Sequence, residues 1–419
     1  MTSRPVWVWR PGSVEPVRAG DFTLDNKVGT FTYAANYRDL ADAVALDPLR
    51  LPITQRPRPI KETRQDGLFG VFRDASPEGF GLSLLQHLHK KDYADLLDRL
   101  EASSGDAVGA IEVCDDIERK LRWRAPSSDD LIEALSKLQP EQSSTTAARE
   151  VMKVQGTSLG GERPKLTVSH KGELWIAKLQ LRGDAAHAPL REYAAMQSAA
   201  AAGIDVAETQ FVRAGSRELL LVKRFDRHTR SPDEICRRLY ASAHTVLGLK
   251  GGELREDESR SYVALSYELR RWCAKRNVDA AQQRELYRRM VFNSVCGNGD
   301  DHPRNHGLIY GDAGWQLSPA FDIAPYGMFS KTLSMAVNRD SSVSASAAAL
   351  LKDCESFGYK REEAIDYIEH AVAVLDKTWR EAVERSGYTD KDIPAPIPDW
   401  LDLEAGKAVP EKKGRRARF

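Results

Sequence analysis

The chain has 419 residues, of which 42% are apolar and 29% are charged, with 61 Lys and Arg against 61 Asp and Glu. This length and composition are typical of a soluble protein of two or three domains. Because the charge is balanced, nucleic-acid binding by the chain as a whole is not the default expectation, so any such contact needs a local patch or a partner.

Further sequence features indicate the compartment. No run of 18 consecutive apolar residues occurs, the N-terminus lacks a secretion-signal pattern, and the five Cys are scattered without a C-x-x-C pair. A membrane span needs such a run, and an odd, widely scattered set of Cys argues against a disulfide framework or a structural zinc. We therefore predict a cytoplasmic protein with no membrane contact.

The first third of the chain carries strand and turn signals. Residues 5–37 alternate apolar and polar side chains around turns, which predicts short antiparallel strands. The apolar positions of residues 84–100 recur at helical spacing and predict a helix there. Residues 139–146 are polar, contain a Pro and lack periodicity, which places the major boundary there. We predict a β-rich N-terminal subdomain over residues 1–140.

The next segment predicts a small lobe that mixes strands and one helix. Residues 165–179 form two apolar stretches around a Gly-containing turn, which is typical of a β-hairpin. Alternation in its second strand places Lys178 on the face of Leu174 and Ile176. An Ala-rich helix over residues 191–203 and a buried strand at residues 219–222 complete a lobe over residues 150–225.

The remaining sequence is mostly helical. Apolar side chains recur at i,i+4 spacing in residues 286–295 and form a stripe over residues 365–383 that stops before Gly387. A strand, turn and strand interrupt this pattern at residues 308–317. The fold class is therefore α+β, with a large helical lobe over residues 226–400. The basic run near the C-terminus predicts a flexible tail over residues 401–419.

Three polar residues around the strand, turn and strand at residues 308–317 suggest phosphoryl transfer. Asp300 and Asn305 lie in the sequence NGDDHPRN just before the hairpin, and Asp322 follows it. Phosphoryl transfer needs a carboxylate that accepts a proton from the attacking hydroxyl, plus an amide and a second carboxylate that hold Mg²⁺. The order of the three residues is that of kinases. The alternative is that Asp300 and Asn305 only cap a turn.

Upstream residues supply candidates for binding the nucleotide. Residues 156–165 (GTSLGGERPK) contain paired Gly residues whose backbone N–H groups can approach phosphate oxygens. Lys178 is the candidate partner of the phosphates, and Glu192 can orient it through an ion pair. Residues 223–225 follow the last strand of the small lobe, where a hinge would run past the adenine of the nucleotide. The alternatives for these three features are, in the same order, an ordinary Gly turn, an exposed strand lysine and a simple connection.

These segments together resemble the HipA family of serine/threonine protein kinases, the toxins of bacterial toxin–antitoxin modules. The resemblance covers nearly the whole chain and keeps the order of the family's motifs. In the N-terminal subdomain it lies at residues 28–30, 67–69, 72–79 and 105–110. In the kinase core it lies at residues 158–165, 176–179, 222–227, 299–305 and 320–322.

The resemblance implies a role for each matching residue. Asp300 is the implied catalytic base, and Asn305 and Asp322 are the implied ligands of Mg²⁺ beside ATP. Ser158 is the implied site of an inactivating autophosphorylation, with Thr157 as a second possible acceptor. The implied nucleotide-binding residues are Gly160, Gly161, Glu162, Arg163, Pro164, Lys165, Lys178, Lys223, Arg224, Phe225, His302, Arg304, Asn305 and Asp322.

The resemblance also implies partners. They are a HipB-like helix-turn-helix antitoxin, operator DNA reached only through that antitoxin, and an aminoacyl-tRNA synthetase as the phosphorylated substrate. Residues 238–244 differ from the best-known members and suggest another subgroup. Two other functions stay open at this point. One is a small-molecule phosphotransferase of the aminoglycoside or choline kinase type, and the other is a catalytically silent corepressor module.

Overall fold

The N-terminal part of the chain is built on a five-stranded antiparallel sheet. The computed structural model describes residues 2–138, 144, 146, 165–181, 183–231, 234–250, 259–273, 276–325, 330–396 and 398–404. The sheet has the order β4–β3–β2–β1–β5. Its strands are β1 (Thr2–Trp9), β2 (Pro16–Asp25), β3 (Val28–Tyr33), β4 (Ile60–Glu62) and β5 (Ile111–Val113). The short antiparallel strands predicted within residues 5–37 are confirmed as β1, β2 and β3.

Six helices accompany this sheet in the described part of residues 2–138. They are α1 (Ala35–Arg38), α2 (Gly70–Asp74), α3 (Gly79–His89), α4 (Leu96–Ala102), α5 (Ile117–Leu121) and α6 (Ser128–Ser136). The alternation of β2 and β3 turns Phe22 and Phe31 inward, where their rings pack on Phe72 of α2 at centroid distances of 4.8 and 5.6 Å. This aromatic cluster fixes α2 against the sheet.

The prediction of a single helix over residues 84–100 is wrong, because two helices occupy this segment. Helix α3 ends at His89, and the next residue, Lys90, has a left-handed backbone with φ 51°. The carboxylate of Asp95 then accepts hydrogen bonds from the N–H groups of Leu97 and Asp98, and this cap begins α4. Apolar periodicity continued across the break because both helices pack on the core, so periodicity alone did not reveal it.

The small lobe contains a four-stranded antiparallel sheet of order β6–β7–β9–β8. Its elements are β6 (Lys165–His170), β7 (Glu173–Leu179), α7 (Ala188–Ala201), β8 (Thr209–Ala214) and β9 (Arg217–Lys223). The predicted hairpin is confirmed as the β6–β7 pair. One face of the sheet, including Trp175 and Ala177, is buried against Leu84 of α3 and Leu131 of α6. The alternate positions Ile176 and Lys178 therefore face the opposite side.

The large lobe is mostly helical, as predicted. Its helices are α8 (Ala243–Leu247), α9 (Tyr262–Trp272), α10 (Arg276–Cys296), α11 (Ala347–Leu351) and α12 (Arg361–Arg385). Its strands are β10 (Arg227–Ser231), β11 (Glu234–Arg237), β12 (Tyr240–Ser242), β13 (Gly307–Gly311) and β14 (Gly314–Leu317). Helix α12 packs on α7 and so joins the two lobes. A membrane-crossing helix, long and apolar enough to span, is not found in the part of the chain that the structure describes.

A buried cluster of charges joins the N-terminal part to the connection between the lobes. The carboxylate of Asp226 accepts hydrogen bonds from Arg224 at 2.7 and 2.9 Å and from Arg227 at 2.7 Å. The N–H of Gly109 also donates to Asp226 at 2.8 Å. Both arginines donate in turn to carbonyl oxygens of the loop that contains Ala107 and Gly109. The N-terminal part is thereby held against residues 224–227.

Candidate active site

A cleft of about 600 Å³ lies where the three parts of the molecule meet. Strands β7 and β9 of the small lobe form one wall, and Asp300, His302, Arg304, Asn305, Phe321 and Asp322 of the large lobe form another. Residues of the segment 73–79, which joins α2 to α3, complete the lining from the N-terminal part. The fold therefore brings the small-lobe and catalytic-loop candidates into one cleft.

A lysine held between two carboxylates lies in this cleft. Nζ of Lys178 lies 2.5 Å from Oε1 of Glu192 and 2.6 Å from Oδ1 of Asp322. Lys178 reaches the cleft because of its alternate position in β7, and Glu192 lies in the first turns of α7 with its side chain 3% exposed. The lysine thus joins the strand, the helix and the segment after β14, and the proposed Lys178–Glu192 pair is present.

The pKa values of the two carboxylates, Glu192 and Asp322, are shifted in opposite directions. Burial raises the pKa of Glu192, and its pairing with Lys178 opposes this rise only in part. Burial also acts to raise the pKa of Asp322, but the positive charges of Lys178 and Lys165 outweigh it and hold that pKa below its usual range. Asp322 is therefore an anion at neutral pH, as a ligand of a cation must be.

The backbone around Asp322 gives the carboxylate a defined direction. Asp322 has φ 60°, a left-handed conformation that few non-glycine residues adopt. The preceding residues are fixed: the ring of Phe321 packs on Phe225 at 5.5 Å, and Ala320 exchanges backbone hydrogen bonds with Asp205 and Ala207. An unusual backbone conformation that its surroundings hold in place is common at functional sites.

The loop that carries Asp300 and Asn305 is closed by its own hydrogen bonds. The backbone N–H of His302 and the side-chain amide Nδ2 of Asn305 both donate to the carbonyl oxygen of Asp300, at 2.9 and 3.0 Å. Because Nδ2 is used as a donor, the amide oxygen of Asn305 is the atom suited to a cation. The side chain of Asp300 is exposed at the surface of the cleft.

A buried polar network lies beneath this loop, and the sequence reasoning missed it. Nε2 of His306 lies 2.6 Å from Oδ1 of Asp301, and both residues are buried. The ring of His306 packs edge-on against Tyr262 of α9, whose hydroxyl accepts a hydrogen bond from Asn293 of α10. Asp301 directly follows Asp300 and His306 directly follows Asn305, so a second polar residue beside each candidate is the signal that could have indicated the network. The network fixes the loop to the helical core.

The other predicted residues take varied positions. Nζ of Lys223 lies 3.3 Å from Glu173, and Lys223, Phe225, His302 and Lys165 line the cleft. Arg224 also lines the cleft, and its guanidinium donates hydrogen bonds to Asp226 and to the carbonyl oxygen of Ala107, so its side chain takes part in the contact with the N-terminal part as well. Arg304 forms an ion pair with Glu78. The remaining predicted residues, Thr157, Ser158, Gly160, Gly161, Glu162, Arg163 and Pro164, lie outside the described residues.

Comparisons with known proteins agree with this arrangement. The model of the HipA N-terminal domain matches residues 13–114, and that of the HipA-like C-terminal domain matches residues 157–379. Y4mE of Sinorhizobium fredii, which is named as a kinase, is 25% identical over 97% of this chain and 98% of its own. The serine/threonine-protein kinase toxin HipA of Shewanella oneidensis is 26% identical over 43% of this chain and 46% of its own.

The overall fold is also found in a solved structure. A chain of the Shewanella oneidensis MR-1 toxin–antitoxin complex of HipA, HipB and operator DNA is similar with a TM-score of 0.66 and 18% identity, over 96% of this chain and 94% of its own. An antiparallel small lobe above a helical lobe, with the Lys178–Glu192 pair between them, defines a kinase-like fold. The chain belongs to the HipA family, because the C-terminal family model spans more than half of it.

Proposed function

We propose that this protein is an ATP- and Mg²⁺-dependent serine/threonine protein kinase that acts as the toxin of a toxin–antitoxin pair. The observation that carries the proposal is the meeting, in one cleft, of the Lys178–Glu192–Asp322 set with Asp300 and Asn305 of the loop. A binding module without activity has no need of this combination. The kinase names of two relatives support the same chemistry.

In the proposed reaction, Asp300 orients the acceptor hydroxyl and takes its proton. The hydroxyl oxygen forms a bond to the γ-phosphorus of ATP, and the bond from that phosphorus to the bridging oxygen breaks to release ADP. Lys178 would contact the phosphates, with Glu192 fixing its position. Val222 and Phe225 supply apolar surface in the same cleft, which suits an adenine ring.

The donor groups in the cleft fit the magnesium ion that this chemistry requires. Asp322 and Asn305 would hold it, since Mg²⁺ prefers carboxylate and amide oxygens and Asp322 keeps its charge. When bound, the ion would neutralise charge on the phosphate oxygens. Lys178 would contact the phosphates independently of this ion, because its ammonium group is a positive charge that the protein itself supplies.

The proposed partners follow from the family resemblance. We propose a HipB-like helix-turn-helix antitoxin, contact with operator DNA only through that antitoxin, and an aminoacyl-tRNA synthetase as substrate. Likeness in fold to a chain of the complex with HipB and operator DNA supports the antitoxin. A cytoplasmic location fits all these partners.

The first experiment is mass spectrometry of the purified protein after incubation with Mg²⁺-ATP, beside Asp300→Ala. We expect a phosphate on Ser158 or Thr157 in the wild type and none in the variant, because transfer needs the base. Phosphate on neither protein, with no ATP consumed, would favour the silent corepressor. Transfer to a small hydroxylated compound but not to protein would favour the aminoglycoside or choline kinase type.

A second prediction concerns the residue that positions the lysine. Glu192→Gln is expected to lower kcat/KM for ATP by about a hundredfold, because Lys178 loses the buried carboxylate that orients it. The reason is geometric, so the loss should be seen with any protein acceptor. The measurement is the initial rate of phosphate incorporation as a function of ATP concentration.

The matched control is Glu173→Gln, which removes a partner of Lys223, a lysine that also lines the cleft. We expect that variant to change kcat/KM by less than about threefold, since a surface pair contributes little. Equal losses in the two variants would contradict the role assigned to Glu192.

A further inference from the structure

The segment between α2 and α3 connects the N-terminal part to the support of the catalytic loop. The carboxylate of Asp74 accepts two hydrogen bonds from Ser242, one from its N–H at 2.8 Å and one from its hydroxyl at 2.7 Å. Ser242 in turn caps α8 and pairs with Gly307, just after the loop. The N-terminal part therefore contacts the strand beside the end of the loop.

The approach of α2 to α8 is close enough to require a glycine. A Cβ atom at Gly70 would lie 2.5 Å from side-chain atoms of Thr245. No side chain fits in that space without movement of α2 or α8. The position of the N-terminal part against the catalytic loop's support is thus set by packing as well as by hydrogen bonds.

One ion pair crosses from this segment to the loop itself. Glu78, four residues after Asp74, forms an ion pair and hydrogen bond with Nη1 of Arg304. Arg304 lies in the single helical turn between His302 and Asn305, next to the amide proposed as a cation ligand. The two side chains are 32% and 36% exposed, so the pair lies at the wall of the cleft.

Two positively charged side chains, Arg73 and Arg304, line this end of the cleft. Burial, together with the charges of Arg304 and Arg73, lowers the pKa of the neighbouring His244 to about 4. The guanidinium of Arg73 donates hydrogen bonds to Gln65 of the N-terminal part, to Oε1 at 3.0 Å and to the carbonyl oxygen at 3.3 Å. Glu78 is the carboxylate that approaches Arg304 from this segment. Asp74 also acts on Arg304 through its charge, but Glu78 is the one of these two carboxylates that forms an ion pair with it.

We infer that Glu78 of the N-terminal part is a positioning residue for the reaction, which acts by holding Arg304 and thereby the loop of Asp300 and Asn305. The inference rests on the proposed function and adds a role for the N-terminal part in catalysis. An ion pair whose side chains are each about a third exposed contributes little to the stability of the whole protein. Its loss should therefore change the geometry of the loop more than the melting temperature.

The test measures autophosphorylation with Mg²⁺-ATP in the full chain. We expect Glu78→Gln to lower the maximal rate about tenfold, with the ATP concentration for half-maximal rate and the melting temperature unchanged. Glu78→Asp, which keeps the charge, should restore part of the rate. Asp42→Asn is the control, because Asp42 pairs with Arg10 in the same part of the molecule but does not line the cleft.

Two further measurements separate positioning from other roles. In the Arg304→Gln background, Glu78→Gln should cause no further loss of rate, since the partner is already absent. Amide hydrogen exchange of residues 298–306 should become faster in Glu78→Gln and stay unchanged in Asp42→Asn. Equal losses of rate in both backgrounds, or unchanged exchange, would overturn the inference.

Failure of the proposed function has a different signature. A wild type that transfers no phosphate contradicts the kinase assignment, whereas an active wild type with a fully active Glu78→Gln contradicts the positioning role. Because the exchange measurement needs no activity, unchanged exchange in Glu78→Gln also overturns the positioning role in an inactive protein.

Discussion

Asp300→Asn is expected to lower phosphate transfer by about a thousandfold, the size of effect that removal of a general base produces. Amide replaces carboxylate with nearly the same shape, so the variant still fits the loop but cannot accept the proton. Because the Asp300 side chain is exposed, we expect the melting temperature to stay within about one degree of wild type. The measurement is the initial rate of phosphate incorporation from labelled ATP.

Asp322→Asn should cause a loss of similar size for a different reason. The neutral amide would bind the cation of the nucleotide weakly, and raising the Mg²⁺ concentration should recover part of the rate. In Asp300→Asn the same increase should recover none. Lys178 keeps Glu192 as its partner in this variant, so the fold should survive.

The control for both variants is Asp312→Asn. Asp312 is exposed in the turn between β13 and β14, in the same lobe but outside the cleft lining. Its substitution should leave the rate unchanged. Full activity of Asp300→Asn beside an unchanged control would refute the assignment of the base.

The largest expected effect on stability is that of Asp226→Asn. This carboxylate is 4% exposed and is shared by Arg224 and Arg227, which are also buried. Removal of one partner from a buried ionic group leaves uncompensated charge and costs about 3–5 kcal/mol of unfolding free energy. The measurement is the midpoint of chemical denaturation at pH 7.

The difference in unfolding free energy between wild type and Asp226→Asn depends on pH through the pKa of Asp226. Burial acts to raise this pKa, but Arg224 and Arg227 outweigh it and hold the pKa well below its usual range. A lowered pKa in the folded state stabilises the protein fully above the unfolded-state pKa of about 4 and less as the pH falls below it. The difference between wild type and Asp226→Asn should therefore be constant from about pH 8 to 5 and shrink below about pH 4.

The control for this prediction is Asp21→Asn, which removes an exposed ion pair with Arg18 in the N-terminal sheet. We expect it to cost less than about 1 kcal/mol. If both variants lost the same stability, the buried cluster would not be what holds the N-terminal part to residues 224–227.

Local sequence patterns determined much of the fold and the placing of several site residues. Period-two alternation in β7 put Lys178 on the side opposite Trp175, and that side proved to face the cleft. The position of Glu192 near the start of a helix was sufficient to propose the pair that the structure contains. These predictions succeed because strand and helix geometry relate neighbouring residues directly.

Tertiary structure alone decided how the N-terminal part takes part in the site. Glu78 and Arg304 are 226 positions apart in the chain, and Asp226 meets a loop 117 positions before it. Periodicity describes neighbours along one element, whereas such contacts depend on how whole domains pack. The sequence by itself therefore predicted several of the main strands and helices, the family resemblance and the order of the candidate catalytic residues. Packing decided that Arg224 serves the domain contact and that residues 73–79 form a wall of the cleft, because only the assembled molecule brings these distant side chains within hydrogen-bond distance.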